Sequence, residues 1–117
     1  MWRQVVLAFA VLNVTIPAAF AHTSAQSISI ADGARLKTAP EQLTITFQHA
    51  ARFGSVSLQT AAGERVSVPY SPPTVATSTF TIPLPTLAPD SYRLTWRVIA
   101  DDGHVMTGAV SFTVASS

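Results

Sequence analysis

Strict alternation of apolar and polar side chains near the carboxyl end constrains the fold of this chain most. From Tyr92 to Val98 every second residue is apolar and those between are polar, and the alternation resumes from Val110 to Val114. A period of two is typical of strands that bury one face. Between the two runs lies the tetrapeptide 101–104, Asp-Asp-Gly-His, and Asp-Gly is a favoured turn dipeptide. We therefore predict a β-hairpin closed by this tetrapeptide.

Further short runs of alternating or β-branched residues recur along the chain, separated by Gly and Pro. They predict strands at residues 26–30, 43–48, 55–59, 65–68 and 75–82, with a strand end at 49–52 and a connection at 35–40. No stretch has a helical period. About seven short strands indicate an all-β fold, an antiparallel Greek-key sandwich or barrel of the immunoglobulin-like kind. The expected core residues are Phe47, Val56, Leu58, Leu94, Trp96, Val98 and Phe112.

The first 21 residues have the three-part pattern of a secretory signal peptide. Arg3 supplies a positive charge, an apolar run begins at Val5, and Ala19-Phe20-Ala21 resembles a cleavage site with small residues at both ends. The apolar run is short for a membrane anchor, which is the alternative reading. We expect residues 1–21 to be removed and residues 22–117 to form one exported domain, which fits a periplasmic location.

Composition excludes several classes of function. The chain of 117 residues has no cysteine, so thiolate metal sites and cysteine nucleophiles are excluded. Charged residues make up 11% and the formal net charge is +1, which is unlike the basic surface of a nucleic-acid-binding protein. There is also no Gly-rich phosphate loop and no G-x-S-x-G motif.

The expected cleavage gives His22 a special chemistry, because it becomes the first residue of the mature chain. Its α-amine, with an ordinary pKa of about 8, and its ring Nδ1 can together chelate a metal ion. The alternative is that a histidine follows the cleavage site by chance. In the same way, the tetrapeptide 101–104 taken alone is what a plain solvent-exposed turn would contain.

Together, these two segments offer a set of metal ligands. His22 supplies two nitrogens, His104 a third, and Asp102 an oxygen, with Gly103 as the spacer that lets Asp102 and His104 face one point. Three nitrogens and one oxygen in a plane suit Cu(II), which prefers tetragonal coordination by nitrogen and oxygen. Asp101 is read as exposed or as a neighbour that orients a ligand.

On these residues the chain resembles the CopC family of periplasmic copper-binding proteins. The resemblance covers most of residues 22–117 and is strongest at His22 and over residues 94–104 and 107–114, with a weaker match at 43–47. It implies a Greek-key β-fold of about seven strands. It also implies one Cu(II) per mature chain, bound by His22, Asp102 and His104, and a CopD-like inner-membrane protein as one candidate partner.

The chain departs from the family pattern in two places. Some members bind Cu(I) through a methionine-rich stretch, whereas this chain has only Met1 and Met106, so we expect no separate thioether site. Where the family commonly has a glutamate after the strand that contains Phe47, this chain has His49. His49 is therefore either a structural residue or an additional ligand or hydrogen-bonding partner of the metal site.

Three classes of function remain after these observations. The favoured one is a monomeric, non-enzymatic Cu(II)-binding protein for copper resistance or homeostasis, which sequesters copper or delivers it to a membrane partner. The second is a copper oxygenase, since an N-terminal histidine with a second histidine also forms the copper centre of oxidative polysaccharide-cleaving enzymes. Asp102 would block the open coordination position that such an enzyme needs. The third is an exported β-domain that binds no metal.

Overall fold

Strands account for the regular structure of the chain. The computed structural model describes residues 25–116, and this range contains seven strands and no helix. Accordingly, the described part of the chain has no helix with the length and hydropathy needed to cross a bilayer. The expected signal peptide and His22 lie outside the described residues. The strands are β1 (Ser27–Ile28), β2 (Ala34–Leu36), β3 (Gln42–Thr60), β4 (Arg65–Val66), β5 (Thr77–Pro83), β6 (Asp90–Ala100) and β7 (Val105–Val114).

The seven strands form one curled sheet, in which β1, β3, β6, β7 and β2 are successive neighbours and β4 and β5 also pair with β3. The prediction of an all-β fold of about seven strands is thereby confirmed. One pairing differs from the antiparallel expectation, because β2 runs parallel to β7, with Ala34 opposite Phe112. Because β2 extends to Leu36, the first two residues of the connection predicted at residues 35–40 belong to a strand.

The long strand β3 replaces the two separate strands predicted at 43–48 and 55–59. Its first part pairs with β1 and β5, and its second part pairs with β4 and β6. Ala51 lies at the change of partner, opposite both Thr77 and Ala100, and is fully buried. The pairing register with β5 shifts between Thr46 and Ala51, and the register with β6 shifts between Phe53 and Ser55. A bulge of this kind bends a strand and restores its alternation without ending it, so the irregular stretch 49–52 is a bend and not a strand end.

The core lies inside the curl of the sheet. Trp96, Leu94 and Val110 are completely buried. Of the seven core residues predicted from sequence, only Val56 is not fully buried, and it packs partly exposed against the core. Burial of these apolar faces, at roughly 25 cal/mol per Å² of apolar surface, is the main stabilising contribution and holds the β6–β7 hairpin rigidly in place. Other buried members include Leu43, Ile45, Phe47, Leu58, Phe80, Ile82, Val98 and Phe112.

Candidate metal centre

The β6–β7 hairpin ends in the turn that the sequence predicts. The antiparallel pairing continues to Ile99 opposite Val105. Beyond it, the Gly103 amide donates to the Ala100 carbonyl oxygen at 2.9 Å, and the Ala100 amide donates to the His104 carbonyl oxygen at 2.8 Å. Gly103 has a φ of 89°, a left-handed conformation that glycine adopts without steric cost. This is the pattern of a three-residue hairpin loop, in which a tight turn is followed by a left-handed residue.

Asp102 and His104 are brought into direct contact by this turn. One carboxylate oxygen of Asp102, Oδ1, accepts a hydrogen bond from the His104 amide at 3.0 Å. The other, Oδ2, lies 2.6 Å from Nδ1 of the His104 ring. Aspartate commonly bonds to the backbone two residues ahead in this way. The side chains are 63% and 80% exposed, respectively. The structure therefore presents a carboxylate and an imidazole together to the solvent.

The Asp102 carboxyl has a lowered pKa. The main cause is the hydrogen bond from the His104 amide, and the hydrogen bond from the His104 side chain acts in the same direction. Both contacts favour the ionised form, because a carboxylate accepts hydrogen bonds better than a carboxylic acid does. At neutral pH Asp102 is therefore an anionic oxygen donor that needs no deprotonation before it binds a cation.

A groove of about 430 Å³ lies beside the turn. Its position follows from the strand register: Ala51 of β3 lies opposite Ala100 of β6, so the residues just before Ala51 lie next to the turn that follows Ala100. His49 is exposed and lines this groove, which it shares with Asp102. The remaining lining residues are Phe47, Gln48, Ala50, Ala100, Asp101 and Met106.

The predicted site residues thus have different outcomes. Asp102 and His104 are in contact, whereas His22 lies outside the described residues, so its role stays a prediction. His49 shares the groove, but within residues 25–116 no three His, Asp or Glu side chains are grouped closely enough to hold a metal ion. Asp101 is exposed and also lines the groove, and its part in orienting a ligand stays a prediction.

Met106 is a lining residue of this groove for which we predicted no role at the site. It follows the turn at the start of β7 and lies opposite Val98. The position of Met106 opposite β6 could be predicted by counting residues from the Asp-Gly turn. The bend of β3 that brings residues 47–50 beside this turn could not be predicted in that way.

The donors present at the turn fit a borderline metal ion such as Cu(II). Imidazole nitrogen suits copper, nickel and zinc, and a carboxylate oxygen completes a mixed nitrogen and oxygen set. Two ligands at about 2.0 Å from one ion and at right angles to each other lie about 2.8 Å apart. The distance of 2.6 Å between Asp102 Oδ2 and His104 Nδ1 is close to that separation. A metal ion can therefore replace the proton between these two atoms with little movement of either side chain.

The solved structures that resemble this fold include CopC and PcoC proteins. One is the crystal structure of CopC from Methylosinus trichosporium OB3b, with a TM-score of 0.68 and 23% identity, over 78% of this chain and 91% of that chain. Another is PcoC, described as a copper resistance protein from Escherichia coli, with a TM-score of 0.63 and 24% identity, over 77% of this chain and 97% of that chain. At this level of identity the similarity establishes the shared fold.

The family is established by the sequence itself. No curated protein sequence matches the chain significantly. The family model of the CopC domain, however, matches residues 25–115, which include every described strand and the whole of the β6–β7 hairpin. With a match over most of its 117 residues, this chain belongs to the CopC family.

Proposed function

We propose that this chain is a periplasmic copper-resistance protein that binds one Cu(II) ion and either stores it or passes it to a CopD-like membrane partner. Membership of the CopC family supports copper binding. PcoC, which has the same fold, is itself described as a copper resistance protein. The expected signal peptide supports export. Copper is the cargo of such a protein and not a catalytic cofactor.

The contact between Asp102 and His104 is the observation that carries this proposal. Their donor atoms lie 2.6 Å apart on a turn that fixes both residues through backbone hydrogen bonds. Preorganised ligands lose little conformational freedom when the ion binds. In the proposed site, Asp102 Oδ2 and His104 Nδ1 bind the ion at adjacent positions, and Gly103 supplies the backbone geometry that keeps them adjacent.

The other half of the proposed site is His22. After cleavage between Ala21 and His22, the α-amine and the ring of His22 supply two further nitrogens. The groove that begins at Asp102 and continues past His49 is open to solvent and gives an amino terminus room to reach the ion. With three nitrogens and one oxygen bound, no position in the plane is left for a substrate. This ligand set suits storage or transfer better than turnover.

The decisive experiment compares the processed protein, which begins at His22, with a form that retains Ala21. We expect the processed form to bind one Cu(II) with an electron paramagnetic resonance spectrum typical of nitrogen-rich tetragonal sites. The form with Ala21 should bind at least about a hundredfold more weakly, a loss of about 2.7 kcal/mol, because its α-amine is no longer free beside the ring. Equal affinity of the two forms would show that the proposed amine chelate does not exist.

A matched pair of substitutions tests the described half of the site. Asp102→Asn and Asp101→Asn remove the same charge from adjacent exposed residues. Only the first should weaken Cu(II) binding, by about tenfold or more, since an amide oxygen is a poorer ligand than a carboxylate. If both variants bind equally well, Asp102 is not a ligand. His49→Ala, measured in the same titration, tests whether His49 contributes.

A non-enzymatic role has its own test. The Cu(II)-loaded protein, supplied with ascorbate and oxygen, should not oxidise a polysaccharide in a substrate-dependent reaction. Sustained, substrate-dependent oxidation would instead assign the chain to the copper oxygenases.

A further inference from the structure

The outer face of the sheet that contains the hairpin is unusually rich in arginine. Of the seven Lys and Arg residues of the chain, five are exposed arginines of strands β2, β3, β4 and β6. They belong to the positions that alternate with the buried ones, so they share the face turned away from the core. We call this surface the arginine face, and its members are Arg35, Arg52, Arg65, Arg93 and Arg97.

The strand register places these arginines in two groups. The first group is Arg52 and Arg97. Arg52 lies opposite Ile99, which is two residues along β6 from Arg97, so this group is next to the hairpin turn. The second group is farther from the turn. In it, Arg65 of β4 and Arg93 of β6 lie on either side of Gln59 of β3. Arg35 extends this second group, opposite Thr113 of β7 in the next row of the same face. Successive rows on one face of a sheet are about 6.8 Å apart.

None of the arginines of this face forms an ion pair with a described carboxylate. The only ion pair found among the described residues is that of Asp102 with His104. The residues that separate the arginines on this face of β3, β6 and β7 are uncharged and mostly small. They are Ser55, Ser57, Gln59, Ser91, Thr95, Ile99, Val105, Thr107, Ala109, Ser111 and Thr113. The Asp32 carboxylate, which accepts a hydrogen bond from the Ser111 amide, is held at this face without forming an ion pair with an arginine, so positive charges outnumber negative ones over several rows.

A depression of about 280 Å³ lies within the second group. Arg93 and the hydroxyl residues Ser91, Ser111 and Thr113 line it. Arg93 Nη1 donates to Ser111 Oγ at 3.2 Å, which steadies the guanidinium, and a guanidinium has further N–H groups with which to bind an acceptor. One guanidinium surrounded by hydroxyl donors suits a carboxylate.

We propose that the arginine face is a docking surface for a protein partner that presents a row of Asp or Glu carboxylates. Arginine is enriched in protein interfaces, whereas lysine is depleted, and its planar fork binds carboxylates through two hydrogen bonds. The face has no exposed aromatic side chain among the described residues, and its exposed large apolar side chains, Ile99 and Val105, are confined to the end next to the turn. The inference concerns charge and strand register, so it does not depend on copper binding at the turn.

A partner docked on the arginine face would also come close to the proposed metal site. Ile99 and Val105, which face each other on the last strand row before the turn, are 37% and 50% exposed. A partner that covers the first arginine group also covers this apolar pair. It would then reach the turn that carries Asp102 and His104 from the side of the sheet.

The experiment uses a synthetic peptide of twelve residues that alternates Glu and Thr, and a Gln and Thr peptide as its uncharged control. In nuclear magnetic resonance titrations of the labelled protein, the acidic peptide should shift the amides of β6 and β7, and the control peptide should not. The double variant R93Q/R97Q should bind the acidic peptide about fivefold more weakly or worse, since two exposed ion pairs are lost. Its melting temperature and Cu(II) affinity should stay unchanged.

A second pair of variants separates docking from a general effect of charge. Thr95→Glu adds a negative charge between Arg93 and Arg97, whereas Thr79→Glu adds the same charge at an exposed threonine of β5. Only Thr95→Glu should weaken peptide binding. Equal weakening by both variants would overturn the proposal, as would a lack of binding to the acidic peptide. Arginine-dependent sedimentation with vesicles of phosphatidylglycerol, without peptide binding, would overturn it in favour of a membrane.

Discussion

The tip and the middle of the β6–β7 hairpin belong to the same two strands but are organised in opposite ways. At the tip, Asp102 and His104 are mostly exposed and are fixed by hydrogen bonds between residues two to four positions apart. In the middle, Trp96 is completely buried and lies opposite Gly108, where strands from distant parts of the chain meet. The tip is therefore ordered by local bonds, and the middle by packing.

This difference separates stability from chemistry within one hairpin. Packing in the middle determines the stability of the hairpin in the fold, because a close-packed interior tolerates few changes of volume. The tip contributes little buried area, so its residues are free to serve as ligands. Substitutions in the middle should change stability, and substitutions at the tip should change metal binding.

The largest effect should come from Gly108→Ala. A Cβ at this position would overlap Cζ2 and Cε2 of the buried Trp96 indole, although Gly108 does not have a left-handed backbone. Overpacking of this kind costs about 1–3 kcal/mol of the free energy of unfolding. Urea denaturation measures it. The cost should shrink when Trp96→Leu is already present, and purely additive effects of the two substitutions would show that the indole is not the cause.

Gly103→Ala should have a smaller effect on stability, with a local consequence for the tip. Gly103 and Gly63 both have positive φ angles, of 89° and 86°, and open space where a Cβ would be. Alanine should cost about 1 kcal/mol at either position, because the left-handed backbone is strained for it. Only Gly103→Ala should also weaken Cu(II) binding, since only this turn places Asp102 beside His104. Equal losses of affinity in both variants would contradict the proposed role of the turn.

The smallest effect on stability is expected for His104→Ala, within about 0.5 kcal/mol for an exposed side chain. In the metal-free protein, carboxyl resonances should show Asp102 titrating below its ordinary value of 3.8. A lowered pKa in the folded state stabilises the fold above the unfolded pKa, and this contribution is lost as the pH falls through the folded value. In His104→Ala the pKa should remain partly lowered, because the backbone amide, the main cause, is still present. A complete return to 3.8 would show that the imidazole is the main cause.

The parts of the fold that could be predicted from sequence are those with a local cause. The alternation that includes Trp96 and Phe112, and the Asp-Gly turn between the two runs, predict the hairpin and its buried face. The contact between Asp102 and His104 follows from the same turn.

The features that were missed depend on partners far along the chain. Residues 49–52 break the alternation, and only the pairing of Ala51 with both β5 and β6 shows that β3 continues through them. The parallel pairing of β2 with β7 joins segments about 80 residues apart, as does the hydrogen bond from the Ser111 amide to Asp32, which has a sequence separation of 79. A strand of three residues such as Ala34–Leu36 is too short to show an alternation of apolar and polar residues, so the sequence does not indicate that it pairs with β7. The role of His22, outside the described residues, remains a prediction.

The continuity of β3 has a consequence for how the protein resists proteolysis. Four other strands, β1, β4, β5 and β6, pair directly with this one strand of 19 residues through backbone hydrogen bonds. Those strands cannot separate from one another while β3 stays in place, so we expect the described domain to open as one cooperative unit. A ligand that binds only the folded hairpin lowers the population of that open state by mass action. An ion held at one turn would therefore protect cleavage sites at the far end of the sheet.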